Sequence, residues 1–373
     1  MSATVTGALR RFFPAFLATA PPLSADQRRA LWAITHCRTP ALGGRAFGCE
    51  DCQGVHFAWH SCNHKACPQC GRTATAQWVS RELTKLLPVP YFLVTFTLPA
   101  QLRAEFFGPH AREAYDLLFR GAAGALSEKL AADKGLRAQV NGFTAVLHTW
   151  NQRLEFHPHI HCLVPGAGLD ADGNFVRVKH AGRLVHLDHL KAAFRQHCYR
   201  LFKQQDWSVD PAVWGLEWGV HIQPAGSGAA ALKYLGAYVA RTAISDARIL
   251  QVTDETVSFR WRDRQHDRDE VLTLPGVEFV RRYLRHVLPR GLRSVRYYGF
   301  CHPAAKAGRL RLRLRAGLPV QLGAPDVAPV PKPSPPACPC CGKPMRLLNR
   351  VARVADPRAP PLWVPNSSRL QAA

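Results

Sequence analysis

Trp150-Asn151-Gln152-Arg153-Leu154-Glu155-Phe156-His157-Pro158-His159-Ile160-His161-Cys162-Leu163-Val164-Pro165-Gly166 contains a strand end, a turn and a second strand. Asn141 to Trp150 reads as a strand, polar Asn151 to Glu155 as the connection, and His159 to Val164 as the next strand, which Pro165-Gly166 terminates. Upstream, Tyr91-Phe92-Leu93-Val94-Thr95-Phe96-Thr97-Leu98 is rich in aromatic and β-branched residues and bounded by prolines, so it predicts another strand. The Ala/Leu/Arg stretch from His110 to Asp133 predicts one long helix between them. A strand, a helix and then two neighbouring strands joined by a turn begin a ferredoxin-like split β-α-β antiparallel sheet, and place the chain in the α+β class.

Working outward, Ser24 is an N-cap for a helix from Ala25 to His36, and Thr73 to Leu87 predicts a helix ended by Pro88-Val89-Pro90. Beyond the central strands come a helix over Leu187 to Phe202, a strand over Val220 to Gln223 and a helix carrying Tyr234. A strand over Val257 to Asp263 and a helix over Val277 to Val287 follow. From Gly317 the composition turns to Pro, Ala and Val, which reads as a linker. The expected organisation is an N-terminal helical segment (1–36), a zinc-ribbon-like module (37–72), a catalytic domain (73–316), a Pro-rich linker (317–337) and a Cys-containing, partly disordered tail (338–373).

The 49 Lys+Arg against 26 Asp+Glu leave a net charge of +23, which favours a polyanionic partner and salt-dependent binding. No apolar run is long enough to span a membrane. Arg10-Arg11-Phe12-Phe13-Pro14 only faintly imitates a twin-arginine signal, so a cytoplasmic, nucleoid-associated protein is expected. Half of the 12 cysteines lie in C-x-x-C pairs, a pattern better explained by zinc than by disulfides. Cys49 and Cys52 with Cys67 and Cys70 supply four soft ligands for a closed, structural Zn²⁺ site. Cys37, Cys62 and His64 could join a second site. Cys338 and Cys341 form a knuckle fragment, with Cys301 and His302 as conceivable partners.

Strand alternation puts His157, His159 and His161 on one face, and Ile160, Cys162 and Val164 toward the core. His159 and His161 make half of a divalent-metal site; Gln152 and Glu155 both offer a hard oxygen to Mg²⁺ or Mn²⁺, and Gln152, which could lie across from His159, is favoured as the third donor over Glu155, which is closer in sequence. In Lys233-Tyr234-Leu235-Gly236-Ala237-Tyr238, the two phenols at i and i+4 share a helix face. Gly236 costs about 1 kcal/mol in a helix interior, so something must approach that helix closely.

These segments, with Arg241-Thr242-Ala243-Ile244-Ser245, Phe259-Arg260-Trp261-Arg262-Asp263, Tyr298-Gly299-Phe300 and the Ser61-Cys62-Asn63-His64 and Cys67-Pro68-Gln69-Cys70 block, resemble the two-tyrosine HUH transposases of rolling-circle bacterial insertion sequences. The resemblance covers residues 30 to 305, departs at Asp246, where asparagine is expected, and is weak at the Pro-rich C-terminus. It implies a metal-dependent endonuclease and strand transferase acting on single-stranded DNA at element ends. His159 and His161 would bind the metal, and Tyr234 and Tyr238 would form 5′-phosphotyrosine links. The chain has no G-x-x-x-x-G-K-[ST] loop, so duplex unwinding would fall to a host helicase or replication machinery. A plasmid replication initiator or relaxase would use the same chemistry, whereas a non-catalytic zinc-dependent DNA-binding regulator would form no covalent adduct. A transposase built on scattered carboxylates fits poorly with so few acidic residues.

Overall fold

A computed structural model of the chain describes residues 3–205, 207, 209–239, 243–263, 266–319 and 335–353, with the side chains of 72, 73, 237 and 238 outside the description. In chain order the elements are α1 (Val5–Thr19), α2 (Ala25–His36), β1 (Gly44–Gly48), β2 (Val55–Trp59), α3 (Arg72–Leu83), β3 (Tyr91–Thr97) and α4 (Ala111–Ala132). Then come β4 (Gly142–Trp150), β5 (Phe156–Pro165), β6 (Ala167–Leu169), β7 (Phe175–Arg177), α5 (Leu187–Lys203), β8 (Gly219–Pro224) and α6 (Ala229–Val239). The last are β9 (Ile249–Val252), β10 (Thr256–Asp263), β11 (Arg268–Pro275), α7 (Gly276–Leu284), β12 (Val295–Gly299), α8 (Lys306–Arg315) and β13 (Arg346–Val351).

These elements form two compact units, which do not follow the sequential division expected above. One comprises residues 72–243 and 288–319, the other 3–71, 244–287 and 335–353. Residues 244–287 therefore pack with the N-terminal segment, and the C-terminal cysteines return to it. The expected linker, over 320–334, and the end of the tail, from 354, lie outside the described residues.

In the first unit a sheet of order β12-β4-β5-β3-β8 is antiparallel at every junction. Alternation along its strands sorts the side chains onto two cores. Phe92, Val94, Phe96, Ile160, Cys162 and Val164 bury against Leu118, Leu126 and Phe194 of α4 and α5. Tyr91, Val146 and Leu163 bury on the other core, with Trp78 of α3 and Leu232 and Leu235 of α6. Each such large apolar side chain contributes roughly 1.5–3 kcal/mol when fully buried.

The middle strand, β5, carries Pro158, which has no N–H to donate. The sheet accommodates it by a register shift: His148 faces His159, but Trp150 faces Phe156, so β5 contributes one extra residue there. That bulge also sets which β4 residue lies opposite the histidines.

Gly236 is required by a neighbouring helix. A Cβ built there would lie 2.2 Å from Cγ2 of Val79 on α3. The close approach inferred from sequence is thus helix packing rather than room for a ligand. Gly236→Val should overpack this contact at a cost of about 1–3 kcal/mol and lower the thermal midpoint by roughly 2–10 °C. Circular dichroism melting checks this, and an unchanged midpoint would contradict the packing.

The second unit begins with α1, whose Val5, Leu9, Phe12, Phe13 and Phe16 are buried in spite of Pro14 inside the helix. Gly276, at the start of α7, leaves space for the Phe12 ring, which an added Cβ would meet at 2.1 Å. Asp246 accepts the Val5 N–H at 2.8 Å, so its carboxylate sits at the positive end of α1. That gives the residue a structural role. The α2 helix starts as expected, with Ser24 and Gln27 in a reciprocal capping box. Two small antiparallel sheets, β13-β1-β2 and β11-β10-β9, complete the unit. Among the described residues no helix is long and apolar enough to cross a membrane.

Candidate metal centre and nucleophile

His148 on β4 and His159 and His161 on β5 bring three ring nitrogens within 4.8 Å of one another. His148 lies directly across the ladder from His159. His159 Nδ1 donates to the His157 carbonyl at 2.6 Å, which leaves Nε2 with a lone pair. His161 Nδ1 lies 2.9 Å from the hydroxyl of Thr95, its ladder partner on β3. Such outer contacts orient metal-binding imidazoles. His148 is held well below the usual histidine range by burial first and by His161 and His159 next, so it is neutral and can offer a lone pair. The donor set therefore fits a divalent ion.

His157 takes another part. Its Nδ1 accepts from Arg103 Nη2 at 2.8 Å, and burial, then the guanidinium, lower its pKa. It supports the set through its carbonyl and lies outside the three. Gln152 does not occupy the place across from His159 that the sequence reading gave it. The bulge at Pro158 and the end of β4 at Trp150 leave Gln152 in the turn, and His148 holds that position. Glu155 accepts from the Asn151 side-chain amide at 2.8 Å. Sequence reasoning missed His148 because a single histidine in an apolar strand carries no spacing signal of its own.

Tyr234 projects from α6 beside this cluster. Its ring lies 6.0 Å from that of His161, at 89°, and 6.5 Å from that of His148. Leu232 and Leu235 anchor the helix in the core and leave Tyr234 half-buried. The backbone of α6 continues through Tyr238, one turn on, whose side chain lies outside the described residues.

The cysteines form two groups, and the expected set of Cys49, Cys52, Cys67 and Cys70 is divided between them. Cys37, Cys62, Cys67 and Cys70 converge in one; Cys49, Cys52, Cys338 and Cys341 converge in the other. Strand β2 explains the separation: five extended residues, at roughly 3.3 Å each, carry the chain from the first knuckle away toward the second. His64 is not in the group, and its Nδ1 accepts the Ala66 N–H at 3.1 Å. Cys301 and His302 are not the partners of Cys338 and Cys341 either.

In the first group Cys37 Sγ lies 3.7 Å and Cys62 Sγ 3.8 Å from Cys70 Sγ, near the ~3.8 Å expected between thiolates on one tetrahedral zinc. Hydrogen bonds from Cys62 and then Cys67 pull the Cys37 thiol down to about 2, while the same bond to Cys37 pushes Cys62 up to about 12. Four thiolates this close would repel one another, and a cation bound among them offsets that repulsion. Cys67→Ser should release one zinc per chain, measured by elemental analysis of the purified protein. An unchanged zinc content would contradict that assignment.

Two family models match the chain. A family model described as "Transposase zinc-binding domain" matches residues 8–98, and one described as "Putative transposase" matches residues 142–308, which include the three histidines and Tyr234. The chain is a DNA transposase. It is similar to "Putative transposase y4qJ" of Sinorhizobium fredii (strain NBRC 101917 / NGR234), with 39% identity over 79% of this chain and 79% of that one. It is also similar to "Transposase for insertion sequence element IS801" of Pseudomonas savastanoi pv. phaseolicola, with 31% identity over 71% of this chain and 67% of that one. The chain belongs to the IS91-type family of insertion-sequence transposases. No solved structure matches it.

Proposed function

We propose that this transposase works by the rolling-circle route, cutting single-stranded DNA at the ends of its element and rejoining it through 5′-phosphotyrosine intermediates. The observation that carries the reading is the convergence of three imidazoles beside a half-buried tyrosine on a neighbouring helix. The order of strands and helices in the first unit, with α4 joining β3 to β4 on either side of β5, supports a ferredoxin-like HUH fold.

His148, His159 and His161 would hold the divalent ion. Three imidazole nitrogen donors suit a first-row ion such as Mn²⁺ better than Mg²⁺, which prefers oxygen. A divalent cation in this place supplies Lewis-acid polarisation of the scissile phosphate and stabilises charge on the departing 3′ oxygen. The Tyr234 hydroxyl attacks the phosphorus, the P–O3′ bond breaks, and the 5′ phosphate stays on the tyrosine while a 3′ hydroxyl leaves. Thr95 and the His157 carbonyl keep the imidazoles oriented through the step. Tyr238, one turn along α6, serves the second transfer. The bond energy is kept in the phosphotyrosine, so joining needs no nucleotide, and strand separation falls to the host's helicase or replication machinery.

The net charge of +23 supports binding through phosphates, with affinity that falls steeply with salt. The test is incubation with labelled single-stranded end DNA and Mn²⁺ or Mg²⁺, followed by denaturing electrophoresis. A protein–DNA adduct that chelator prevents is expected. Cleavage without any covalent species would overturn the reading.

A further inference from the structure

Nothing in the matched zinc-binding domain, which ends at residue 98, accounts for the second cysteine group, half of which comes from the far end of the chain. Cys338 and Cys341 meet Cys49 and Cys52 across 286 residues or more of sequence. Cys49 Sγ lies 3.4 Å from Cys341 Sγ and Cys52 Sγ 3.5 Å from Cys338 Sγ. Disulfides would need about 2.05 Å, and Zn–S bonds of about 2.3 Å in a tetrahedron require about 3.8 Å, so the spacing belongs to a metal site.

The backbone bears this out independently of the sulfur positions. The residue after the second cysteine of each pair takes a left-handed turn: Gln53 has φ 56° and Gly342 φ 73°. The same turn follows three of the four cysteines of the first group, at Arg38 (φ 56°), Asn63 (φ 53°) and Gly71 (φ 90°). Non-glycine residues rarely adopt this conformation, which costs roughly 1–2 kcal/mol. Its recurrence after cysteine after cysteine marks one knuckle geometry used repeatedly. Each knuckle of the second group is closed by a short backbone bond, Cys49 N–H to the Gly54 carbonyl and Cys338 N–H to the Lys343 carbonyl. Strand β13, just after the second knuckle, pairs with β1, just before the first.

We infer that Cys49, Cys52, Cys338 and Cys341 bind a second structural Zn²⁺, forming one zinc ribbon whose two knuckles come from opposite ends of the chain. The ion ties the C-terminal segment to the N-terminal module, and the closed coordination leaves no open position for chemistry. The ribbon cannot form until Cys341 has been made.

The full-length protein, purified without chelator, should hold two zinc ions per chain by elemental analysis, and the double variant C338S/C341S one. To separate coordination from a failure to fold, a protease recognition sequence placed within residues 320–334 lets the finished chain be cut. The C-terminal piece should co-elute with the rest while zinc is present and come away when chelator removes it. Two zinc ions retained by C338S/C341S, or a cut piece that separates at once in zinc-replete buffer, would overturn the inference.

Discussion

Replacing His148 with alanine lowers single-stranded DNA cleavage by at least about 100-fold, the scale that loss of even an outer-shell partner of a metal site can reach. The expectation rests on His148 facing His159 across the ladder, with its nitrogen gathered beside those of His159 and His161. His159→Ala and His161→Ala should match it. Gln152→Ala, in the turn, should stay close to the parent rate. DNA binding should survive in all four, because Lys and Arg contacts to phosphate supply most of the affinity. Single-turnover cleavage of a labelled oligonucleotide measures the rate, and a filter-binding curve the affinity. A His148→Ala protein that cuts at the parent rate, with Gln152→Ala inactive, would return the third donor to the turn.

The second large effect concerns the tyrosines. Residues at i and i+4 of a helix generally have Cβ atoms about 5–6 Å apart, so two tyrosines so spaced should each be offered to one phosphate but not both in the same geometry. Tyr234→Phe and Tyr238→Phe should each leave some covalent adduct and each cut complete transposition severely. The double variant should form none. Denaturing gels report the adduct, and a mating-out or plasmid-capture assay reports transposition. An adduct that persists in the double variant would place the nucleophile elsewhere and make Tyr234 a packing residue.

Much of the catalytic unit was readable from local pattern. Tyr91–Thr97 and Gly142–Trp150 are apolar and β-branched between turn signals, and Ala111–Ala132 is a long run of helix formers, so each emerged close to its observed bounds. Ile160, Cys162 and Val164 face the core opposite the histidines, as alternation requires. What escaped depends on register or on distant pairing. The neighbour of His159 follows from a bulge at Pro158, and a shift of one residue would have exchanged it for another. Within the expected N-terminal helical segment, the bounds of α1 were hidden by Pro14, which breaks the pattern without breaking the helix.

The cysteines show the same limit. Spacing identifies a C-x-x-C pair as a knuckle but does not say which other knuckle it meets. The nearest pair in sequence was the natural choice for Cys49 and Cys52, yet β1 brings them to Cys338 and Cys341 through its ladder with β13. That ladder joins a strand of small and aromatic residues to an exposed one near the chain's end, and neither advertises the other. Gly236 announced a close approach without naming the neighbour, which is Val79.

The central claim is that a tyrosine beside the three-histidine cluster takes the DNA phosphate. Its most direct test is to trap the parent protein with single-stranded end DNA and Mn²⁺, digest both protein and DNA, and locate the modified residue by mass spectrometry. A phosphonucleotide is expected on Tyr234 or Tyr238 and on no other residue. An adduct mapped to a serine or to any other tyrosine, or efficient cleavage with no modified residue, would contradict it.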